Sequence, residues 1–352
     1  MRWFWYRRVL VFFAVIGSVL AIKIYSDQYS ENEQQASTKN IDSTMVIPGG
    51  MPIGIYMKID GVLVLSTDEI EDCNGVNQEP AKKIIKSGDY IVAINGSKVE
   101  SKNDLIQEIS KLSNPQVILN IRRNGESFDV KFDAIQVAKN QYKLGIWVRD
   151  SLQGLGTITY LTATSEFGAL GHGIHDIDTE SLVEIESGNV YDISIVGVQK
   201  GKKGNPGGLE GVIIYNNRNI LGTITKNTKN GIYGEIDDID DLFKGQEAVE
   251  VCDKKEIKLG DAEIYCAVDG EIKAYDIEIK SIDYYTKEEN KGLVIEVVDE
   301  ELIEKTGGIV QGMSGSPIIQ DGILVGAVTH VLVNDPTRGY GIFIENMLEA
   351  AG

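Results

Sequence analysis

Gln311-Gly312-Met313-Ser314-Gly315-Ser316-Pro317-Ile318-Ile319 sets one serine between two glycines, directly ahead of an apolar run. Such a serine sits on a tight turn with its hydroxyl exposed. Gly312 can adopt backbone angles denied to other residues. The N–H groups of Gly312 and Ser314 can then point at one spot, as an oxyanion-binding pair must. A strand follows the serine, not a helix, so the strand–turn–helix elbow of α/β-hydrolases does not fit. A glycine-rich β turn without chemistry is the competing reading of this motif taken alone.

A serine nucleophile needs a base, and the chain has 3 histidines. His172 lies in Phe167-Gly168-Ala169-Leu170-Gly171-His172-Gly173-Ile174-His175-Asp176, with glycine on both sides and an apolar strand before it. It is the expected base, and activity should then rise through about pH 6–7 as the imidazole becomes neutral. His175 is its near neighbour. His172, His175 and Asp176 could instead hold a metal, but no further ligand motif supports that, so no metal or cofactor is expected. His330, on the strand after the serine, reads as a barrel histidine. The orienting acid is the least defined member among 53 acidic residues. Asp299, at the end of Leu293-Val-Ile-Glu-Val-Val298, is the expected one, with Asp176, Asp178 and Asp335 as competitors.

Residues 140–352 read as strand after strand, with Gly, Asn and Asp as punctuation, which predicts an all-β domain. Residues 48–135 read as a smaller α+β unit. Its two apolar runs meet at Asp60-Gly61, a hairpin signal. Asn95-Gly96 is a second turn, and Asn103 opens a helix carrying Leu105, Ile106, Ile109 and Leu112. Residues 26–47 are polar and read as a flexible linker. Residues 1–25 carry Arg7 and Arg8 ahead of an apolar run, Val9–Ile22, which reads as a signal anchor or transmembrane segment in preference to a cleaved signal. The remainder would then be membrane-anchored or secreted, outside the cytoplasm. The glycine-rich Lys200–Gly208 stretch lacks phosphate-loop spacing and reads as a mobile turn near the cleft.

Composition narrows the classes. The formal net charge is −19, and a surface that acidic repels phosphate backbones, so nucleic acid is not an expected partner. Three cysteines, none in a paired motif, read as buried thiols.

Three resemblances follow from these residues. Gly-Asp-Tyr-Ile-Val-Ala-Ile-Asn-Gly (88–96) resembles the signature of PDZ domains. That resemblance implies a carboxylate-binding loop at Gly49–Ile55, so that Gly50, Met51, Pro52, Ile53, Gly54 and Ile55 would hold a C-terminal or internal peptide. Gly-x-Ser-Gly-x-Pro resembles the nucleophile motif of chymotrypsin-like serine peptidases. The apolar N-terminus, the PDZ unit, Ala169–Asp176 and Thr306–Leu348 together resemble the stage IV sporulation protein B family. This resemblance implies a mainly β protein with an N-terminal membrane helix, a PDZ domain and a chymotrypsin-like double β-barrel. It implies Ser314 as nucleophile, His172 as base, Asp299 as acid, and Gly312 with Ser314 as the oxyanion hole. It also implies export into the space between forespore and mother-cell membranes, self-cleavage, and cutting of a membrane-bound regulator. That cut releases an intramembrane protease that processes the late mother-cell sigma factor. A non-catalytic PDZ scaffold and a general quality-control protease are the alternatives, separable by Ser314→Ala and by the breadth of cleavage.

Overall fold

The computed structural model describes residues 45–352. The expected membrane segment, residues 1–25, lies outside them. No helix among the described residues is long and apolar enough to cross a membrane.

In chain order the elements used below are β1 (Met45–Pro48), β2 (Pro52–Thr67), β3 (Tyr90–Ile94), α1 (Lys102–Ser110), β4 (Gln116–Arg123), β5 (Glu126–Asp133), β6 (Ile135–Ala138), β7 (Gln141–Lys143) and β8 (Ile146–Leu161). They continue with β9 (Glu166–Ala169), β10 (Ile185–Tyr191), β11 (Ile193–Gln199), β12 (Gly208–Ile213), β13 (Ile220–Thr228) and β14 (Gly231–Ile236). The last are β15 (Gly260–Cys266), β16 (Lys273–Ile282), β17 (Leu293–Val297), α2 (Glu300–Thr306), β18 (Pro317–Gln320), β19 (Ile323–Leu332), β20 (Asp335–Phe343) and α3 (Ile344–Ala351).

Two barrels result. In the first, pairing runs β2–β8–β9–β14–β13–β10 and returns to β2. In the second, β15–β16–β17–β20–β19–β18 close into a barrel. Closure pairs every strand of each barrel on both sides over part of its length and leaves short free edges where a strand runs past its neighbour. Alternation sets the first core: Ile53, Ile55 and Met57 point inward at every second position and are 0–1 % exposed. Burying each such side chain contributes on the order of 1.5–3 kcal/mol.

Asp60-Gly61 does not turn the chain back. β2 runs straight through it, and Gly61 has φ +93°. The glycine forms a bulge, which shifts the inward parity from odd to even positions. Val62 and Val64 therefore join the core of the α+β unit with Ile91, Leu119 and Ile121. The α+β unit and the first barrel thus share both β2 and its partner β8. The linker expected over 26–47 also ends early. β1 pairs with β8, and Val46 is buried against Val251, Leu324 and Met347. Helix α1 starts as expected, with the Ser101 hydroxyl accepting from the Asp104 N–H. Cys252 and Cys266 are buried in the second core without a bridge between them. Burial there raises the Cys266 thiol pKa.

Candidate active site

The nucleophile turn is held from across the barrel interface. The Thr157 N–H donates to the Ser314 carbonyl (2.9 Å), the Thr157 hydroxyl to the Gly312 carbonyl (2.8 Å) and the Thr159 hydroxyl to the Gly315 carbonyl (2.8 Å). Gly312 has φ +99° and Gly315 φ +97°, angles that glycine reaches without strain. Neither the Gly312 nor the Ser314 N–H donates a hydrogen bond among the described residues. Two free amides beside a serine hydroxyl are what an oxyanion site needs.

The expected base arrives from the first barrel. After β9, Leu170 (φ +72°) and Gly171 (φ +68°) turn sharply and deliver His172. A Cβ on Gly171 would lie 2.9 Å from both Thr329 and Ile342 of the second barrel, so only glycine allows this approach. His172, His175, His330 and Ser314 line one cavity of about 710 Å³ between the barrels. The rings of His172 and His330 lie 4.8 Å apart, centroid to centroid. All three histidines of the chain therefore converge on the serine.

The Gly173 carbonyl lies 3.0 Å from Nδ1 of His172 and 3.1 Å from Nδ1 of His175. A carbonyl only accepts, so each bond requires the proton on Nδ1. That tautomer leaves Nε2 of His172 with its lone pair, the form a general base needs. Burial lowers the His172 pKa, opposed by the Gly173 bond and assisted by nearby His175. The His330 pKa is also lowered, first by burial, then by His172 and Lys291. A neutral imidazole is required for catalysis, so activity should be lost as pH falls through this lowered value. The acid limb of kcat/KM is expected below the ordinary imidazole value of about 6.5. A pH–rate profile with its limb at about 7 or above would contradict this burial effect.

Asp299 is not beside the imidazole. It is the N-cap of α2, where its carboxylate accepts from the Leu302 N–H (2.8 Å) and faces the Asp276 N–H (3.5 Å). The competitors are committed as well. Asp176 is fully buried in an ion pair with Arg149 and caps the turn at Asp178 and Thr179, while Asp178 pairs with the same arginine. Asp335 accepts from the Thr337 hydroxyl. No carboxylate lines the cavity. The sequence-based assignment of Asp299 fails because a helix N-cap and a triad acid look alike in sequence order. The distinguishing signal was present: Asp299-Glu300-Glu301-Leu302 is a cap followed by an acidic first turn. Asp299→Ser keeps a capping oxygen but removes the charge. It should leave kcat/KM within about threefold of wild type, whereas loss of a triad acid costs about 10⁴ in kcat.

The stretch expected to bind a peptide lies elsewhere too. Ile53 and Ile55 are buried in the first-barrel core. The N–H groups of Gly49 and Gly50 donate to Thr159 and Ile158, and both edges of β2 are paired over 54–58 by β8 and β10. Gly50–Ile55 therefore offers no free amide row. A groove of about 670 Å³ instead opens between α1 and the start of β8, walled by Leu105, Ile106, Ile109, Ile146 and Trp147. No strand pairs with the outer edge of Ile146–Asp150 among the described residues. The N–H groups of Leu144 and Gly145 (φ +65°) in the preceding loop donate to nothing there. Lys102 and Lys143 stand at the rim. Lys143-Leu144-Gly145-Ile146, a glycine between apolar residues ahead of a strand, was the overlooked signal.

With this geometry in place, sequence comparison becomes informative. The profile described as SpoIVB peptidase S55 matches residues 140–348, and a PDZ domain profile matches residues 49–133. The chain belongs to the SpoIVB peptidase S55 family. It is a PDZ-containing serine peptidase, and the family match spans both Ser314 and His172. No curated protein matches the chain. Among solved structures, the PDZ domain of an SdrC-like protein from Listeria monocytogenes is 23 % identical over 25 % of this chain and 87 % of its own (TM-score 0.21). The HtrA-type protease AlgW with a decapeptide is 15 % identical over 60 % of this chain and 52 % of its own (TM-score 0.33). The inactive form of Rv3671c from M. tuberculosis is 11 % identical over 56 % of this chain and 82 % of its own (TM-score 0.30). The S55 profile begins at residue 140, so the groove has one wall in each matched stretch: α1 in the PDZ match and β8 in the peptidase match.

Proposed function

We propose that this S55 peptidase cleaves protein substrates with a Ser314–His172 pair, oriented by a backbone carbonyl. The observation that carries this is the meeting of Ser314, His172 and two free amides in one cavity. The Ser314 hydroxyl now donates to the Thr329 carbonyl (2.7 Å). Rotation toward Nε2 of His172 makes it a nucleophile. His172 takes the proton as Ser314 Oγ bonds to the scissile carbonyl carbon, and the Gly312 and Ser314 N–H groups hold the resulting oxyanion. The imidazolium then protonates the leaving amine. Water repeats the sequence and frees Ser314.

The substrate is proposed to be a membrane-bound regulator of sporulation, cut outside the cytoplasm, with the protease anchored through residues 1–25. Family membership and the Arg7-Arg8 flanked apolar run support this reading. Self-cleavage is proposed within 26–44, a polar stretch without apolar periodicity. The α1–β8 groove is proposed to take a peptide with a free C-terminal carboxylate. The carboxylate would sit on the Leu144 and Gly145 amides near Lys143, with the peptide backbone added to the free edge of β8. β8 continues from this groove to Thr157, which holds both Gly312 and Ser314, so occupancy would bear on the nucleophile turn.

One experiment addresses these points together. Full-length protein is incubated with a peptide ending in valine, as the free acid or the amide, and chain shortening is followed by mass spectrometry. The expected result is a cut between residues 26 and 44 that the free acid accelerates, the amide does not, and Ser314→Ala abolishes. Shortening that persists in Ser314→Ala would overturn the catalytic reading. Equal effects of acid and amide would overturn the groove.

A further inference from the structure

A chain with 53 acidic and 34 basic residues has a catalytic cavity lined by no Asp, Glu, Lys or Arg. Among the aliphatic residues that line it are Leu209, Val310 and Val331. Leu209 is held against the oxyanion turn. Its N–H donates to the Gln311 carbonyl (2.8 Å), and its side chain packs so closely over Gly312 that a Cβ there would lie 3.1 Å away.

The same cavity is bordered by a short open strand edge. β18 pairs with β19 only as far as Ala327, and the Val328 N–H and carbonyl are taken by Ser316 and Gly315. Beyond Thr329, whose carbonyl holds the Ser314 hydroxyl, the edge over His330–Leu332 is unpaired among the described residues. It ends where the Gly204 N–H donates to the Val333 carbonyl (2.8 Å). Gly204 belongs to the Lys200–Gly208 loop, which is docked and not the loose turn the sequence suggests. The Gly201 N–H bonds to the Thr306 carbonyl (2.7 Å), and the Gln311 N–H to the Gly207 carbonyl (3.3 Å). The loop acts as a stop beside the edge.

We infer that this cleft selects an uncharged aliphatic residue on the acyl side of the scissile bond, with Leu209 and Val331 as specificity-determining residues. An extended substrate adds to His330–Leu332, and the Lys200–Gly208 loop limits that pairing to about three residues. With its carbonyl on the Gly312 and Ser314 amides, the residue at the cut places its side chain between Leu209, Val310 and Val331. A charged side chain would give up water there and find no opposite charge to pair with. The inference rests on Ser314 as the nucleophile.

The test uses peptidyl phosphonates that form an adduct with an activated serine and differ only in the residue next to phosphorus: valine, leucine, lysine or aspartate. Full-length protein is labelled, and the adduct is located and timed by mass spectrometry. A general fluorophosphonate is run on the same sample. Valine and leucine probes should label Ser314 at least about 100-fold faster than lysine or aspartate probes. Leu209→Ala should shift preference from valine toward leucine, and Leu209→Asp should raise the relative rate of the lysine probe. Comparable rates for charged and aliphatic probes, with Ser314 labelled by the fluorophosphonate, would overturn the specificity alone. Absence of any adduct on Ser314 would overturn the nucleophile and the specificity with it.

Discussion

Ser314→Ala is expected to lower kcat by about 10⁴- to 10⁶-fold while the protein stays folded. The hydroxyl is the atom that would bond to the scissile carbon, and nothing else in the cavity replaces it. The other titratable side chains there are His172, His175 and His330, and the chain's buried thiols lie in the second-barrel core. The structural cost is small, because the hydroxyl makes one hydrogen bond, to the Thr329 carbonyl. Such a bond is worth about 1 kcal/mol net. Residual activity should match the effect of His172→Ala, and the double variant should be no worse than either single one, as for groups that act as a unit. Kinetics on a cleavable peptide together with thermal melts would check both parts. A large drop in melting temperature would mean that the serine is structural.

Gly315→Ala is expected to cost stability as well as activity. Gly315 has φ +97°, and an added Cβ would lie 2.0 Å from the Thr157 carbonyl oxygen and 2.5 Å from the Leu170 N–H nitrogen. Those two atoms already bond to each other at 3.2 Å. A methyl group would wedge apart the barrel interface at the point where the serine turn meets the histidine turn. Left-handed strain and overpacking together come to roughly 3–5 kcal/mol. For a protein of this size that is a fall of about 4–8 °C in melting temperature. Gly322→Ala is the matched control. Its φ is +81°, but nothing lies within 4 Å of the added Cβ, so only the backbone strain of about 1 kcal/mol remains. Equal melting temperatures for the two variants would contradict the close approach.

The parts of the site that were legible in the sequence are those carried by local chemistry. A serine between glycines before an apolar strand specifies its own turn. The histidine that meets Ser314 in the cavity was legible by scarcity, since few histidines exist and one is flanked by glycines. Asp299 was misread, because chain order alone cannot separate a cap from an acid, although the acidic first turn after it marks the cap of α2. Asp60-Gly61 misled for a related reason. A glycine with positive φ serves a hairpin turn or a bulge equally well, and the choice was made by β8, some 90 positions downstream. The same long-range pairing took both edges of Gly54 and Ile55 between β8 and β10 and left the open groove at Leu144–Asp150. Local signals name turns and caps, but which strand edge stays free is settled by partners far away in the chain.

Covalent labelling tests the central claim most directly. Full-length wild type, His172→Ala and Ser314→Ala are treated side by side with a fluorophosphonate, and the adduct is located by mass spectrometry. An activated serine requires a neutral imidazole next to it. The account predicts an adduct on Ser314 in wild type, a labelling rate lower by at least about 10³-fold in His172→Ala, and none in Ser314→Ala. Labelling of a different serine, or a rate unchanged by His172→Ala, would contradict it.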